Sequence, residues 1–275
     1  VSGVQRKLFM SLNQKTLVPS DGLGLYIVKP VPKDLPGLPA VEHTIMALAG
    51  KCRIHKVADH TLVPFENGEF AFVTRRFDIM DAQGQRYFVE DVASLLDVHP
   101  SNKGIDAISY EHVLNRLYNQ SGKNLSVLIP IYQLLMYSYI IFNNDLHLKN
   151  LSMIRSPSHK RAEMQNLSPL YDVLSVAPYP EYQGEYLSLS LLESEVDGDF
   201  SNYFETYGYY TGHDFLQLGQ NVGFPYAATT HLLNKVTNMV ERHYQAFINK
   251  SSCSEEHKRL LQTTIEQRIR AMRIT

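Results

Sequence analysis

Cysteine is nearly absent from these 275 residues. Cys52 and Cys253 lie far apart and form no CxxC or other metal-ligand spacing, which excludes a disulfide framework and a cysteine-held zinc. Free buried thiols in a reducing compartment are the expectation, and the location they predict is cytoplasmic. Net charge is equally scarce, at −2, so no global basic field advertises nucleic acid or an anionic membrane. Neither direct nucleic-acid binding nor membrane association is expected. The most apolar run, Ile131 to Phe142, contains Gln133 and Ser138 and is too short to cross a bilayer. No signal-peptide pattern, internal repeat or low-complexity segment is found. The chain opens on Val1-Ser2-Gly3-Val4-Gln5 without an initiator Met, which predicts residues upstream. What the chain has in quantity is hydrophobic residues, 44%, enough for a substantial core in one large domain or two lobes.

The first 78 residues read as β-rich. Leu8 to Leu12 and Leu25 to Lys29 are short apolar runs separated by the turn-forming Pro19-Ser20-Asp21-Gly22, which predicts an antiparallel pair joined by that loop. Pro30, Pro32, Pro36 and Gly37 mark a loop. Val41, Ile45, Leu48 and Ala49 then recur at helical spacing, with Gly50 as a stop and Glu42 in the first turn, where a carboxylate suits the helix dipole. Arg53 to Val57 and Phe70 to Phe77 are candidate strands, and Tyr87 to Val89 one more.

From Glu90 the pattern turns helical. Helix starts fall at Asp91 and Tyr110, and a long buried helix runs from Ser126 to Phe142. Leu151 to Ile154 and Leu167 to Tyr171 read as a hairpin. Two amphipathic helices, Thr230 to Lys250 and Ser254 to about Met272, close the chain. His231, His243 and His257 have no partner at ligand spacing and read as surface or packing residues.

Chemistry concentrates at Asn143-Asn144-Asp145-Leu146-His147-Leu148-Lys149-Asn150, answered by Asp172. Such crowding behind a buried helix is costly unless partners or ligands satisfy it. An Asp, an Asn five positions later, then a second Asp after a hairpin is the order of protein-kinase catalytic loops. There the first Asp takes the proton of the attacking hydroxyl, while the Asn and second Asp hold magnesium. Asp145, Asn150 and Asp172 would fill those roles, with hard oxygen ligands suited to Mg2+. Taken alone, the motif is also ordinary turn chemistry. Two other functions stay open: a catalytically silent nucleotide-binding regulatory module, and a metal-dependent hydrolase using Asp145, His147 and Asp172.

Seven stretches in order give the chain a resemblance to the HipA-like serine/threonine kinases, the toxin component of bacterial toxin–antitoxin systems. They are Gly3-Val4-Gln5-Arg6-Lys7, Tyr26 to Pro30, the helix carrying Glu42, Arg76-Phe77-Asp78, Glu90-Asp91, Asn144 to Asn150, and Leu170-Tyr171-Asp172. The chain looks like the short HipT subgroup. The resemblance implies an α+β, protein-kinase-like two-lobed fold: a small β-rich N-lobe over 1–78 and a larger, mainly helical C-lobe over 79–275. ATP and Mg2+ would lie between them. Gly3, Val4, Gln5, Arg6 and Lys7 would form the phosphate loop, with a single glycine in place of a glycine-rich run. Lys29 would hold phosphates and pair with Glu42; Arg75, Arg76 and Phe77 would flank the adenine; His147 and Lys149 would lie near the triphosphate. In the family a serine three positions before the loop glycine is autophosphorylated. That position would precede Val1, and Ser2 is out of register. The family's substrates include aminoacyl-tRNA synthetases, whose phosphorylation halts translation, and an antitoxin of HipB or HipS type restrains the toxin.

Overall fold

A computed structural model describes residues 6–20, 24–80, 85–98, 108–160, 164 and 166–275. The first strand, β1 (Leu8–Asn13), pairs on one side with β2 (Thr16–Pro19) and on the other with β3 (Tyr26–Lys29). The expected β1–β3 pair is therefore present, but the loop at Pro19 joins β2 to β3. The turn that creates β2 places Gln14 at φ 56, which brings the short Thr16-Leu17-Val18 run back along β1. With β4 (His60–Pro64) and β5 (Phe70–Arg75) the sheet has the order β2-β1-β3-β5-β4, antiparallel throughout.

Helix α1 (Leu38–Lys51) lies against β4 and β5 and meets the helical body on its other side. It begins earlier than the apolar spacing suggests, because Gly37 takes a left-handed conformation as N-cap and Pro39 is pre-set for the first turn. Glu42 is consequently in the second turn, fully buried, so the helix-dipole account of it falls. Residues 53–57 are not a strand. Arg53 sits at φ 53 and the Ile54 N–H returns to the Ala49 carbonyl at 3.1 Å, so the segment winds down the C-terminal end of α1. Its apolar residues are buried for other reasons: Ile54 in the core, Val57 in a parallel bridge to Leu170.

A second, three-stranded sheet joins β6 (Phe88–Asp91), β7 (Ser152–Arg155) and β8 (Asn166–Leu167), so the strand expected at 87–89 lies away from the first sheet. Between β6 and β7 come α2 (Val92–Leu95), capped by Asp91, α3 (Tyr110–Gln120), capped by Ser109, and α4 (Leu128–Ile141). The chain finishes with α5 (Asn202–Tyr207), α6 (Gly212–Asn221), α7 (Tyr226–Asn249) and α8 (Glu255–Met272).

Helix α4 is the centre of the core. Apolar on all sides, it contacts α3, α7 and α8. Its polar tips are satisfied from neighbouring elements: Tyr132 donates to the Phe215 carbonyl and Tyr137 to the Ile45 carbonyl, each at 2.6 Å, and Gln133 to that of Ile54 at 2.9 Å. Cys52 and Cys253 are buried, unpaired thiols. Among the described residues no helix is long and apolar enough to cross a membrane.

Candidate active site

The core ends where α4 delivers its polar loop. Phe142 closes the helix at φ 56, ψ 55, which turns the chain outward, and the Asn143 N–H returns to the Ser138 carbonyl at 2.8 Å. Arg268 of α8 fastens this corner. Its guanidinium donates to the Tyr139 carbonyl at 3.0 Å and lies 3.9 Å from the Phe142 ring centre. Burial lowers the Arg268 pKa to about 10.

The loop after Phe142 is knotted through one carbonyl. The Asp145 oxygen accepts from the His147 N–H and from the Asn150 side-chain amide, both at 2.8 Å. Tyr110 donates to the next carbonyl, that of Leu146, at 2.7 Å. His147 is buried, with Nε2 3.9 Å from an Asp145 carboxylate oxygen, and Lys149 is exposed. With the Asn150 amide nitrogen engaged, its oxygen is the atom left for a ligand.

Asp172 arrives from the other direction, along Val57–Leu170 and out of β8. Its backbone is left-handed, at φ 52, an uncommon conformation that turns the side chain away from the course of the strand. Lys29, at the end of β3, is 3% exposed and donates to Glu42 of α1 at 2.6 Å. The same ammonium also bonds Asp172, and Lys7 reaches the second Asp172 oxygen at 3.2 Å. Residues 7, 29, 42 and 172 thus meet in one ionic cluster. Burial pulls the Lys29 ammonium below its usual pKa; Glu42 opposes that pull, Lys7 adds to it, and Asp145 is near enough for its charge to favour the protonated form. Tyr171 also links the cluster to the Asp145 loop: its hydroxyl donates to the Lys149 carbonyl at 3.0 Å and lies 2.6 Å from the Ser152 hydroxyl.

Beside the cluster lies a cleft of about 350 Å3, with Ile27, Met46, Phe72 and Val89 among its apolar walls and Lys7, Lys29, Glu42 and Asp172 at its charged end. Residues 75–77 border it. The N–H groups of Arg75 and Arg76 are already committed, to the carbonyls of Asp59 at 2.8 Å and Leu25 at 2.9 Å. Arg76 forms a two-pronged ion pair with Asp78, at 2.9 and 2.6 Å, and the Phe77 ring lies 5.5 Å from that of Tyr171. Arg6 is exposed; Gly3, Val4 and Gln5 lie outside the described residues. Met46, Phe72, Ser152 and Tyr171 are wall residues that the sequence reading did not single out as site residues. Tyr171 had the one available signal, its place beside Asp172. Among the described residues no group of three His, Cys, Asp or Glu side chains is placed to hold a metal unaided.

A family model of the HipA-like C-terminal domain matches residues 1–244. A Haemophilus influenzae protein described as "Putative kinase" is 32% identical over 235 residues, covering 81% of this chain and 67% of its own length. Among solved structures, HipA of Shewanella oneidensis MR-1, captured with HipB and operator DNA, is similar at a TM-score of 0.75 and 20% identity. That match covers 98% of this chain and 63% of the Shewanella protein, so the chain spans less than two thirds of it. The Helicobacter pylori proinflammatory kinase CtkA is similar at a TM-score of 0.63 and 17% identity, over 96% of this chain and 93% of its own. The fold is the α+β, kinase-like one that these two structures share.

Proposed function

The chain belongs to the HipA-like C-terminal domain family, and from that membership we propose that it is a Mg-ATP-dependent protein serine/threonine kinase. The observation that carries the reading is the Lys29 ammonium held by Glu42 at 2.6 Å with Asp172 against it. A buried lysine between a helix carboxylate and a loop carboxylate is the arrangement kinases use to place phosphates beside a metal. Residues 1–78 serve as the small lobe and 79–275 as the large one.

The residues fit the nucleotide and its metal. The apolar walls of the cleft suit a planar base, and the two lysines at its far end suit phosphate. When bound, Mg-ATP would supply the transferable phosphoryl group and neutralise charge on it. Lys29 would hold phosphate oxygens, with Glu42 fixing its position. The backbone of Gly3, Val4 and Gln5, with Arg6, Lys7, His147 and Lys149, would surround the triphosphate. Asn150 and Asp172 would hold the metal through oxygen. Phe77, flanked by Arg75 and Arg76, would carry the backbone contact to adenine, since the two arginine N–H groups are already used. Asp145 would orient the acceptor hydroxyl and take its proton. Catalysis would rest on positioning and charge rather than on a covalent intermediate.

The biological role that this reading supports is that of a HipT-type toxin, with an aminoacyl-tRNA synthetase as substrate, translation as the process inhibited, and autophosphorylation before the phosphate loop as the off-switch. The Shewanella neighbour's complex with HipB supports an antitoxin as partner. Labelled ATP, given to the chain with and without a synthetase, tests the activity. Asp145→Asn is expected to cut transfer by about 10²- to 10⁴-fold with nucleotide affinity unchanged. Transfer at the parental rate would remove Asp145 from its role, and labelling of neither protein by the parent would favour the silent nucleotide-binding module.

A further inference from the structure

Residues 75–77 have a cavity on each of two sides. The second, of about 470 Å3, shares only Arg75, Arg76 and Phe77 with the cleft that holds Lys29, so this segment is the partition between them. Its other walls come from residues 55–59, the chain that leads into β6, and the β7–β8 sheet. Val57, Ile79, Met80, Tyr87, Ile154 and Leu167 make most of it apolar.

Its polar groups are biased towards cations. Lys56 and Arg75 are exposed and form no side-chain ion pair with a described residue, and among the described residues Asp59 is the one carboxylate in the lining. The Arg76 guanidinium uses Nε and Nη2 on Asp78, while its buried Nη1 has no hydrogen-bond partner among the described residues. His55 lies 3.1 Å from the Leu167 carbonyl through Nε2, and burial favours its neutral form.

We propose that this cavity is a second ligand site, distinct from the nucleotide cleft, that takes a small organic anion with an apolar body. The volume suits a molecule of that class, the walls would bury its hydrocarbon, and Lys56 with Arg75 would meet its charge. The site is also placed to act on the chemistry. Val57 and Ala58 of its lining are tied to Leu170, with the Ala58 N–H on the Leu170 carbonyl at 3.0 Å and the Leu170 N–H on the Lys56 carbonyl at 2.8 Å. Leu170 stands two residues before Asp172, and Phe77 touches Tyr171 from the partition. A ligand that holds residues 56–58 therefore biases where Asp172 sits, which makes the site regulatory. That regulatory consequence rests on the kinase reading; the binding itself does not.

The test uses 8-anilinonaphthalene-1-sulfonate, an apolar body with one anionic group, titrated by fluorescence into the whole chain with and without saturating Mg-ATP. The expected result is a saturable site that survives nucleotide. Lys56→Glu is expected to weaken it roughly five- to tenfold, the size of one reversed charge at a partly exposed contact, and Ile154→Trp to abolish it by filling the cavity. Lys56→Glu changes an exposed side chain and decides the matter should the tryptophan variant fail to fold. Dye affinity indifferent to Lys56→Glu, or displacement of dye by nucleotide one for one, would overturn the proposal. A chain that binds dye in this pattern but never transfers phosphate would sink the kinase reading and leave the second site standing.

Discussion

The outer face of the five-stranded sheet and the surroundings of α4 are built to very different densities. On the sheet, Val28, Ala71 and Val73 form a small buried cluster, Met10, Leu17, Tyr26 and Val63 pack partly against it, and Leu8 and Leu12 on the same face remain 52% and 49% exposed. Around α4, Leu128, Tyr132, Leu135, Met136 and Tyr137 are all fully buried, and the tyrosine hydroxyls close on carbonyls of other elements. The division matters because the polar groups of the site come from both regions. Lys7 leads into β1 of the sheet and Lys29 ends β3 with its side chain on the inner face against Glu42; Asp145 and Asn150 hang from the dense region after α4. Resistance to local opening follows buried apolar contact, so Asp145 and Asn150 have the firmer mounting and Lys7 the looser one.

The largest effect should come from cutting into the dense region. Leu135→Ala is expected to lower unfolding free energy by about 2–5 kcal/mol, whereas Val73→Ala on the outer face of the sheet should lower it by about 1–2 kcal/mol. Denaturant titration of both variants checks this, and equal losses would break the comparison. Lys7→Met should cost less again, within about 0.5 kcal/mol, because its ion pair with Asp172 is partly exposed. It should nevertheless change the magnesium dependence of nucleotide binding, since Lys7 occupies a carboxylate oxygen proposed for the metal. Unaltered magnesium dependence would detach Lys7 from the site.

The smallest effect concerns acid. His43 of α1 and His55 just beyond it are held below their ordinary pKa of 6.5, chiefly by burial, and His60 at a ring distance of 5.0 Å adds to the effect at His43. The unfolded chain therefore takes these protons first, and stability is lost as pH falls below 6.5 through the folded values. Melting followed from neutral pH down to about pH 5 should show a shallower fall in His43→Gln than in the parent. Parallel curves would leave the acid sensitivity of this region with the remaining groups.

Much of the fold could be read from local pattern. The apolar run before Asn143 was readable as a buried helix because no face of it is polar. Ser109, Asp91 and Ser254 mark real helix starts, since each caps its helix with its own side chain. Misreadings arose where a local signal had two solutions. Arg53 to Val57 has strand composition, yet the left-handed Arg53 ties it to α1. Thr16 to Pro19 is too short to announce itself as a strand and exists because β1 offers it an edge. Of the candidate site, Lys29, Glu42, Asp145, Asn150 and Asp172 were legible as residue types in an order. The apolar cleft walls were not, because Met46, Phe72 and Ile27 look like any other core residue until their neighbours are known.

By itself the sequence determined which segments would bury, where the polar loop would interrupt them and which charged residues stood in the order of a phosphotransferase. Helical and strand periodicity, caps and turns act over a few residues and leave their mark in the chain. Only the tertiary structure decided that Lys29 would touch Asp172, 143 positions away, that Lys7 would join them, and that residues 75–77 would divide two cavities. Contacts of that span depend on strand register and on how one packed layer seats against another, and those are properties of the assembled core rather than of any stretch within it.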